Sequence, residues 1–127
     1  MIDHVSVAVS DLSRSTRFYQ AVLGAIGYAP LDVRGSTVGF GKTYSEFWLN
    51  ARPEMAPLPA HPGAHVCLRV RSTDLVDAFY EAALANGGRS DGAPGLRAHD
   101  GPNGYYAAFI RDLDGNRIEA VTFVPAA

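Results

Sequence analysis

Two stretches of the chain alternate apolar and polar residues in the same register. In the first, Val5, Val7 and Val9 face one way, and His4, Ser6 and Ala8 face the other. In the second, Val66, Leu68 and Val70 oppose His65, Cys67 and Arg69. A period of two predicts a strand with one buried face. A helical stripe follows each: Phe18, Tyr19, Val22, Leu23 and Ile26, then Val76, Phe79, Tyr80, Ala83 and Leu84. Ser10 or Asp11 can cap the first helix, and Ser72, Thr73 or Asp74 the second. Gly24 or Gly27 can end the first, and Gly87-Gly88 the second. Shorter strand-like pieces come after each helix: Leu31–Val33, Thr37–Phe40 and Tyr44–Leu49, then Tyr105–Arg111 and Arg117–Val124. Asp114-Gly115 marks a turn between the last two.

The two stretches are copies. At an offset of 61 residues, His4–Gly27 laid on His65–Gly88 gives eight identities in 24 pairs, where chance gives about one or two. With a longer offset, Ser45-Glu46-Phe47-Trp48 falls on Ile118-Glu119-Ala120-Val121. Each half therefore reads β-α followed by two or three strands. Module one spans residues 1–50 and module two 65–124, within a single domain. Residues 51–64 hold Pro53, Pro57, Pro59 and Pro62, which suit neither a helix nor a central strand, so this segment is a linker. Gly87–Gly104 carries six glycines and two prolines and reads as a long functional or mobile loop with room for an edge strand.

Composition narrows the partners. The chain has 127 residues, 47% apolar, with 11 Lys+Arg against 13 Asp+Glu. That suits one packed domain and offers no basic field for nucleic acid. No apolar run approaches the length of a membrane helix, and no basic leader precedes an apolar stretch. The single cysteine, Cys67, cannot form an internal disulfide, which fits a cytoplasmic setting. The partner expected is a small molecule.

The repeat also places chemistry. His4 and His65 open the two first strands, and Glu46 and Glu119 lie in the two last strands. Two copies packed about a pseudo-twofold axis are expected to bring these positions together. Two imidazoles and two carboxylates there would form a divalent-metal site with positions open to water or substrate, suited to Zn, Ni, Co, Mn or Fe.

At these residues the sequence resembles a known family. The Ile2-Asp3-His4-Val5 opening, the repeat, and Asp112-Leu113-Asp114-Gly115-Asn116-Arg117-Ile118-Glu119 resemble the vicinal oxygen chelate superfamily, which includes glyoxalase I, extradiol dioxygenases, fosfomycin-resistance thiol transferases and bleomycin-binding proteins. The resemblance implies an α+β fold of two βαβββ modules forming a cup-shaped mixed sheet, an incomplete barrel with the helices outside. It implies metal ligands at His4, His65 and Glu119. Glu46 is the fourth position, which three-ligand members leave otherwise occupied. It also implies a homodimer, with the site built within one chain or across two.

A glyoxalase-like isomerase or lyase acting on a small oxygenated substrate fits four such residues, with Glu46 or Glu119 as the base. The alternatives are an extradiol-type dioxygenase and a binding protein of the antibiotic-resistance kind. For the last, Phe40, Phe47, Trp48, Tyr105, Tyr106 and Phe109 could line the pocket. Arg69 could hold a substrate anion. Trp48, Tyr106 and His99 complete the expected substrate-binding set. No basic cluster for glutathione stands out.

Overall fold

The computed structural model describes residues 1–98 and 103–125. The elements run β1 (Val5–Val9), α1 (Leu12–Gly24), β2 (Ala29–Val33), β3 (Thr37–Gly41), β4 (Ser45–Ala51), β5 (Val66–Arg69), α2 (Thr73–Ala85), β6 (Arg89–Arg97), β7 (Gly104–Arg111) and β8 (Arg117–Val124). They form two open four-stranded sheets, ordered β1-β4-β3-β2 and β5-β8-β7-β6. In each, the first strand pairs parallel with the last, and the remaining pairs are antiparallel. This is the two-module α+β architecture the repeat predicts. No described helix is long and apolar enough to cross a membrane.

Local chemistry explains the helix ends. The Asp11 side chain accepts from the Arg14 amide at the start of α1, and Ser72 accepts from Leu75 at the start of α2. Each bond satisfies one of the amides a helix leaves unpaired. After α2 the chain turns through Gly87, at φ +96°, a conformation that suits glycine. A Cβ on Gly88 would stand 2.8 Å from Phe18 Cε1 and 2.9 Å from the Ala83 carbonyl oxygen. That glycine lets the start of β6 pass close to both helices.

Much of the glycine-rich segment expected as a loop is the nine-residue strand β6. Its register slips between Ser90 and Gly92 and again between Gly92 and Gly95. β6 is the edge strand of its sheet, for which the loop reading left room, and glycines at bulges and a proline on an edge strand are both compatible with a sheet.

One apolar cluster draws on both modules. Phe18, Tyr19, Leu23, Phe40, Phe47 and Leu49 meet Val76, Phe79, Ala83, Ile110 and Ile118 in it. Full burial of each large side chain contributes roughly 1.5–3 kcal/mol. Phe40 and Phe47, proposed as pocket lining, are both 0% exposed in this core, and their rings pack on Tyr19.

The Asp112–Asn116 motif ties the modules together. Asp112 is buried and accepts from the Tyr19 hydroxyl (2.6 Å), the Asn116 side-chain amide (2.9 Å) and the backbone amides of Asp114 and Asn116. Asn116 Nδ2 also donates to the Ala8 carbonyl at 2.8 Å, and Asp114 accepts from Ser10. Burial, and then the Asp112 charge, push the Tyr19 phenol well above its ordinary pKa. The hydroxyl therefore stays a donor.

Candidate metal and substrate site

Period-two alternation gives the second sheet two unlike faces. Tyr106, Ala108, Ile110, Ile118 and Ala120 turn towards α2 and the core. The intervening residues, Tyr105, Phe109, Glu119 and Phe123 among them, occupy the other face, together with Cys67 and Arg69 of β5. Glu119 is only 3% exposed there. Its Oε1 lies 3.1 Å from His65 Nε2, and its Oε2 accepts from the Tyr105 hydroxyl. Cys67 is the register partner of Glu119 on β5, with its Sγ 4.0 Å from the Tyr105 hydroxyl.

The carboxylate shapes its neighbours. Burial, followed by the hydrogen bond to Glu119, raises the Tyr105 phenol pKa. Burial and then the Glu119 charge push the Cys67 thiol up to about 12. Cys67 is therefore a neutral thiol at ordinary pH and not an activated nucleophile.

The equivalent positions of module one are more open. His4 lies just before β1, half-exposed, with Nδ1 2.9 Å from the Asp3 carboxylate. Glu46, on β4, is half-buried. Burial and then the Glu46 charge raise the pKa of the adjacent Tyr28. A groove of about 420 Å³ is lined by His4, Tyr28, Glu46, His65, Cys67 and Arg69.

The expected convergence of all four residues is not met within one chain. Among the described residues, no group of three or more His, Cys, Asp or Glu side chains gathers as a metal cluster. His4, Glu46 and His65 nevertheless line the same groove. The Asn116 bond to the Ala8 carbonyl holds the end of β1 beside the start of β8, and Ser6–Ala8 line one cavity with Ala64–Val66.

His65 and Glu119 fit a metal by donor chemistry and by spacing. Two donors each about 2.1 Å from one ion and at right angles stand about 3 Å apart. The Tyr105 hydroxyl on the second carboxylate oxygen leaves Oε1 directed at His65, as an outer hydrogen bond to a metal ligand does.

The expected substrate-binding residues are dispersed. Arg69 lies over the Phe123 ring at 4.7 Å. Trp48 lies on the same face of β4 as Glu46, under the Arg34 guanidinium at 5.2 Å. It rests against Gly39, where a Cβ would come within 2.9 Å of the indole. Tyr106 turns the other way, its hydroxyl donating to Asp77 of α2 at 2.7 Å, because alternation places it on the helix face. His99 lies outside the described residues. Sequence reasoning offered Tyr105 only as apolar lining for a binding pocket and missed its hydroxyl as the partner of Glu119. The Asp114-Gly115 turn held the signal, since the hairpin register pairs Phe109 with Glu119 and Tyr105 with Phe123. Tyr105, Phe109 and Glu119 therefore share a face.

The model of the Glyoxalase/Bleomycin resistance protein/Dioxygenase superfamily matches residues 1–120. The chain belongs to this superfamily. A crystal structure of a glyoxalase/bleomycin resistance protein from Albidiferax ferrireducens T118 is 32% identical, with a TM-score of 0.80, covering 94% of this chain and 95% of that one. A glyoxalase-related enzyme from Fulvimarina pelagi shares 19% identity at a TM-score of 0.72, covering 100% and 99%. A mutant of the fosfomycin resistance protein FosX from Listeria monocytogenes, complexed with Mn(II) and 1S,2S-dihydroxypropylphosphonic acid, shares 16% identity at 0.68, covering 99% and 90%. The last two show the superfamily fold alone. No curated protein matches the chain.

Proposed function

We propose that this superfamily member is a metal-dependent, glyoxalase-like enzyme that isomerises or lyses a small oxygenated substrate. The supporting observation is the His65–Glu119 pair, a carboxylate 3% exposed that faces an imidazole at 3.1 Å and is steadied by Tyr105. The FosX complex with Mn(II) is in keeping with a divalent ion on this fold. Zn, Ni, Co, Mn and Fe all suit an imidazole–carboxylate set.

His65 and Glu119 would hold the ion with His4 and Glu46. One chain gathers no three-donor group among its described residues, so our reading includes a homodimer in which a second copy brings His4 and Glu46 to the pair. A bound ion would supply Lewis-acid polarisation of the substrate oxygens. The protein's own groups divide the remaining work. Both Glu119 oxygens are engaged, so Glu119 serves as an anchor. Glu46, half-buried beside Tyr28, is the freer carboxylate and the base that moves a proton between adjacent carbons. Arg69 and Trp48 orient the substrate. A cytoplasmic setting completes the reading, in keeping with the one free cysteine.

Equilibrium dialysis of purified protein against Mn, Zn, Ni, Co and Fe tests it. The expected result is about one equivalent of a single metal per chain, lost in His65→Ala and Glu119→Gln. Less than about a tenth of an equivalent of every metal would overturn the reading.

A further inference from the structure

Where β6 begins, one row of the second sheet is made of arginines. Arg89 of β6 is the register partner of Arg111 of β7, and Arg111 is the partner of Arg117 of β8. Three cations thus stand side by side across three strands, on one face of the sheet. Like charges directly opposite one another destabilise a sheet. One carboxylate offsets the row, since Asp91 meets Arg111 Nε at 3.3 Å and Arg117 Nε at 2.9 Å. Arg89 forms no ion pair among the described residues. The row stands roughly 23 Å along the strands from Arg97 and Val124. Residues 99–102 and 126–127 are too few to bring a counter-charge back across that span.

The row borders a recess of about 570 Å³. The segment between the modules walls it, tied to module two at two points. The Leu58 amide donates to the Asp114 carbonyl at 3.4 Å, and Arg111 Nη2 donates to the Ala60 carbonyl. The lining joins Arg89, Arg111 and the Ser90 hydroxyl to the apolar side chains of Met55, Leu58 and Leu113. Asp114 also reaches the recess, where its carboxylate accepts from the Ser10 amide and hydroxyl. Three arginines against Asp91 and Asp114 still leave one positive charge in excess.

The donors are partly set in place. Arg111 is fixed at two of its three nitrogens, by Asp91 and by Ala60, and the third keeps two N–H donors. Ser90 accepts from the Gly92 amide at 3.3 Å and can donate its own hydrogen. A guanidinium already held loses little freedom on meeting an anion.

We propose that this recess is a second small-molecule site and takes a small organic acid. The carboxylate or phosphate group meets Arg89 and Arg111, and the hydrocarbon part lies against Met55, Leu58 and Leu113. Neither His65 nor Glu119 lines the recess, so the site is separate from the pair proposed to hold a metal. The segment between the modules thereby closes a site that neither module completes alone.

Titrations at low ionic strength, followed by the backbone amide signals in NMR, test this. The probes are hexanoate, hexyl phosphate, inorganic phosphate and hexan-1-ol. Hexanoate or hexyl phosphate should give saturable shifts at Leu58, Ser90, Arg111 and Leu113, and the tighter of the two identifies the acid group. Inorganic phosphate and hexan-1-ol each offer half of the recognised chemistry and should bind at least about tenfold more weakly. Arg89→Gln, at an exposed position, should weaken the tighter acid by about tenfold, and Leu58→Ser by about fivefold. Arg14→Gln, on α1, should change nothing, and the same spectra confirm that every variant is folded. Glu119→Gln should bind the acid as wild type does. Shifts with neither acid, wild-type affinity in Arg89→Gln, or either half-probe binding as tightly as the acid would overturn the proposal. Loss of binding in Glu119→Gln would overturn it too, by moving the acid to the metal pair.

Discussion

Glu46 and Glu119 occupy equivalent places on the last strands of two copied modules, yet their surroundings differ. Glu119 is 3% exposed with both oxygens engaged, whereas Glu46 is half-buried beside one tyrosine. His65 faces the carboxylate of its own module, while His4 faces its chain neighbour Asp3. The facing strand accounts for much of the difference. Thr37 of β3 pairs with Asn50 and Gly41 with Ser45, whereas at the matching places of module two Tyr105 pairs with Phe123 and Phe109 with Glu119. Duplication thus supplied two sets of the same donor types, and the side chains on the neighbouring strand set apart the carboxylate with both oxygens engaged from the one left more open.

The largest expected effect breaks the tie that holds the two modules in their relative positions. Asp112→Ala removes the acceptor of four hydrogen bonds and should cost about 3 kcal/mol in urea unfolding. Tyr19→Phe removes one of them and should cost about 1–2 kcal/mol. A loss below about 1 kcal/mol for Asp112→Ala would mean that packing alone sets the two modules against each other.

The contrast between the carboxylates can then be tested directly. Glu119→Gln should weaken metal binding by more than about a hundredfold, and Tyr105→Phe by about tenfold, since it touches only the second oxygen. Tyr28→Phe should have a smaller effect than Tyr105→Phe on metal affinity. If the two tyrosine variants behaved alike in a metal titration, the supposed asymmetry between anchor and base would be gone.

Asp91→Asn leaves Arg111 and Arg117 without their shared carboxylate and should cost about 1 kcal/mol. Because the folded pKa of Asp91 is lowered, its contribution is complete above the ordinary carboxylate pKa of about 4 and is lost as pH falls through the lowered folded value. Acid unfolding of wild type and Asp91→Asn should therefore converge at low pH. Curves that stay parallel would remove Asp91 from the pH dependence.

The smallest effect concerns Cys67. With its thiol pushed up to about 12 by burial and then by the Glu119 charge, alkylation by iodoacetamide at pH 8 should be slow despite the exposure of this residue. Glu119→Gln should speed it. An unchanged rate would show that the Glu119 charge does not reach the thiol.

Much of this protein is legible in its sequence because the signals are local. Alternation at His4–Val9 and His65–Val70, the helical stripes and the 61-residue offset depend on neighbours in the chain. They identify two βαβββ modules and the donor types on their first and last strands. Where composition stood in for pairing, the reading was partial: the glycines and prolines of 87–104 suggested a loop with room for an edge strand but did not locate it, because a bulged edge strand owes its existence to β7 beside it. Adjacent residues separated for the same reason, with Tyr105 turned to Glu119 and Tyr106 to Asp77. The meeting of His65 with Glu119 and the seat of Arg97 over Phe109 are set by register and packing. Those contacts join residues tens of positions apart, so tertiary structure alone decided them.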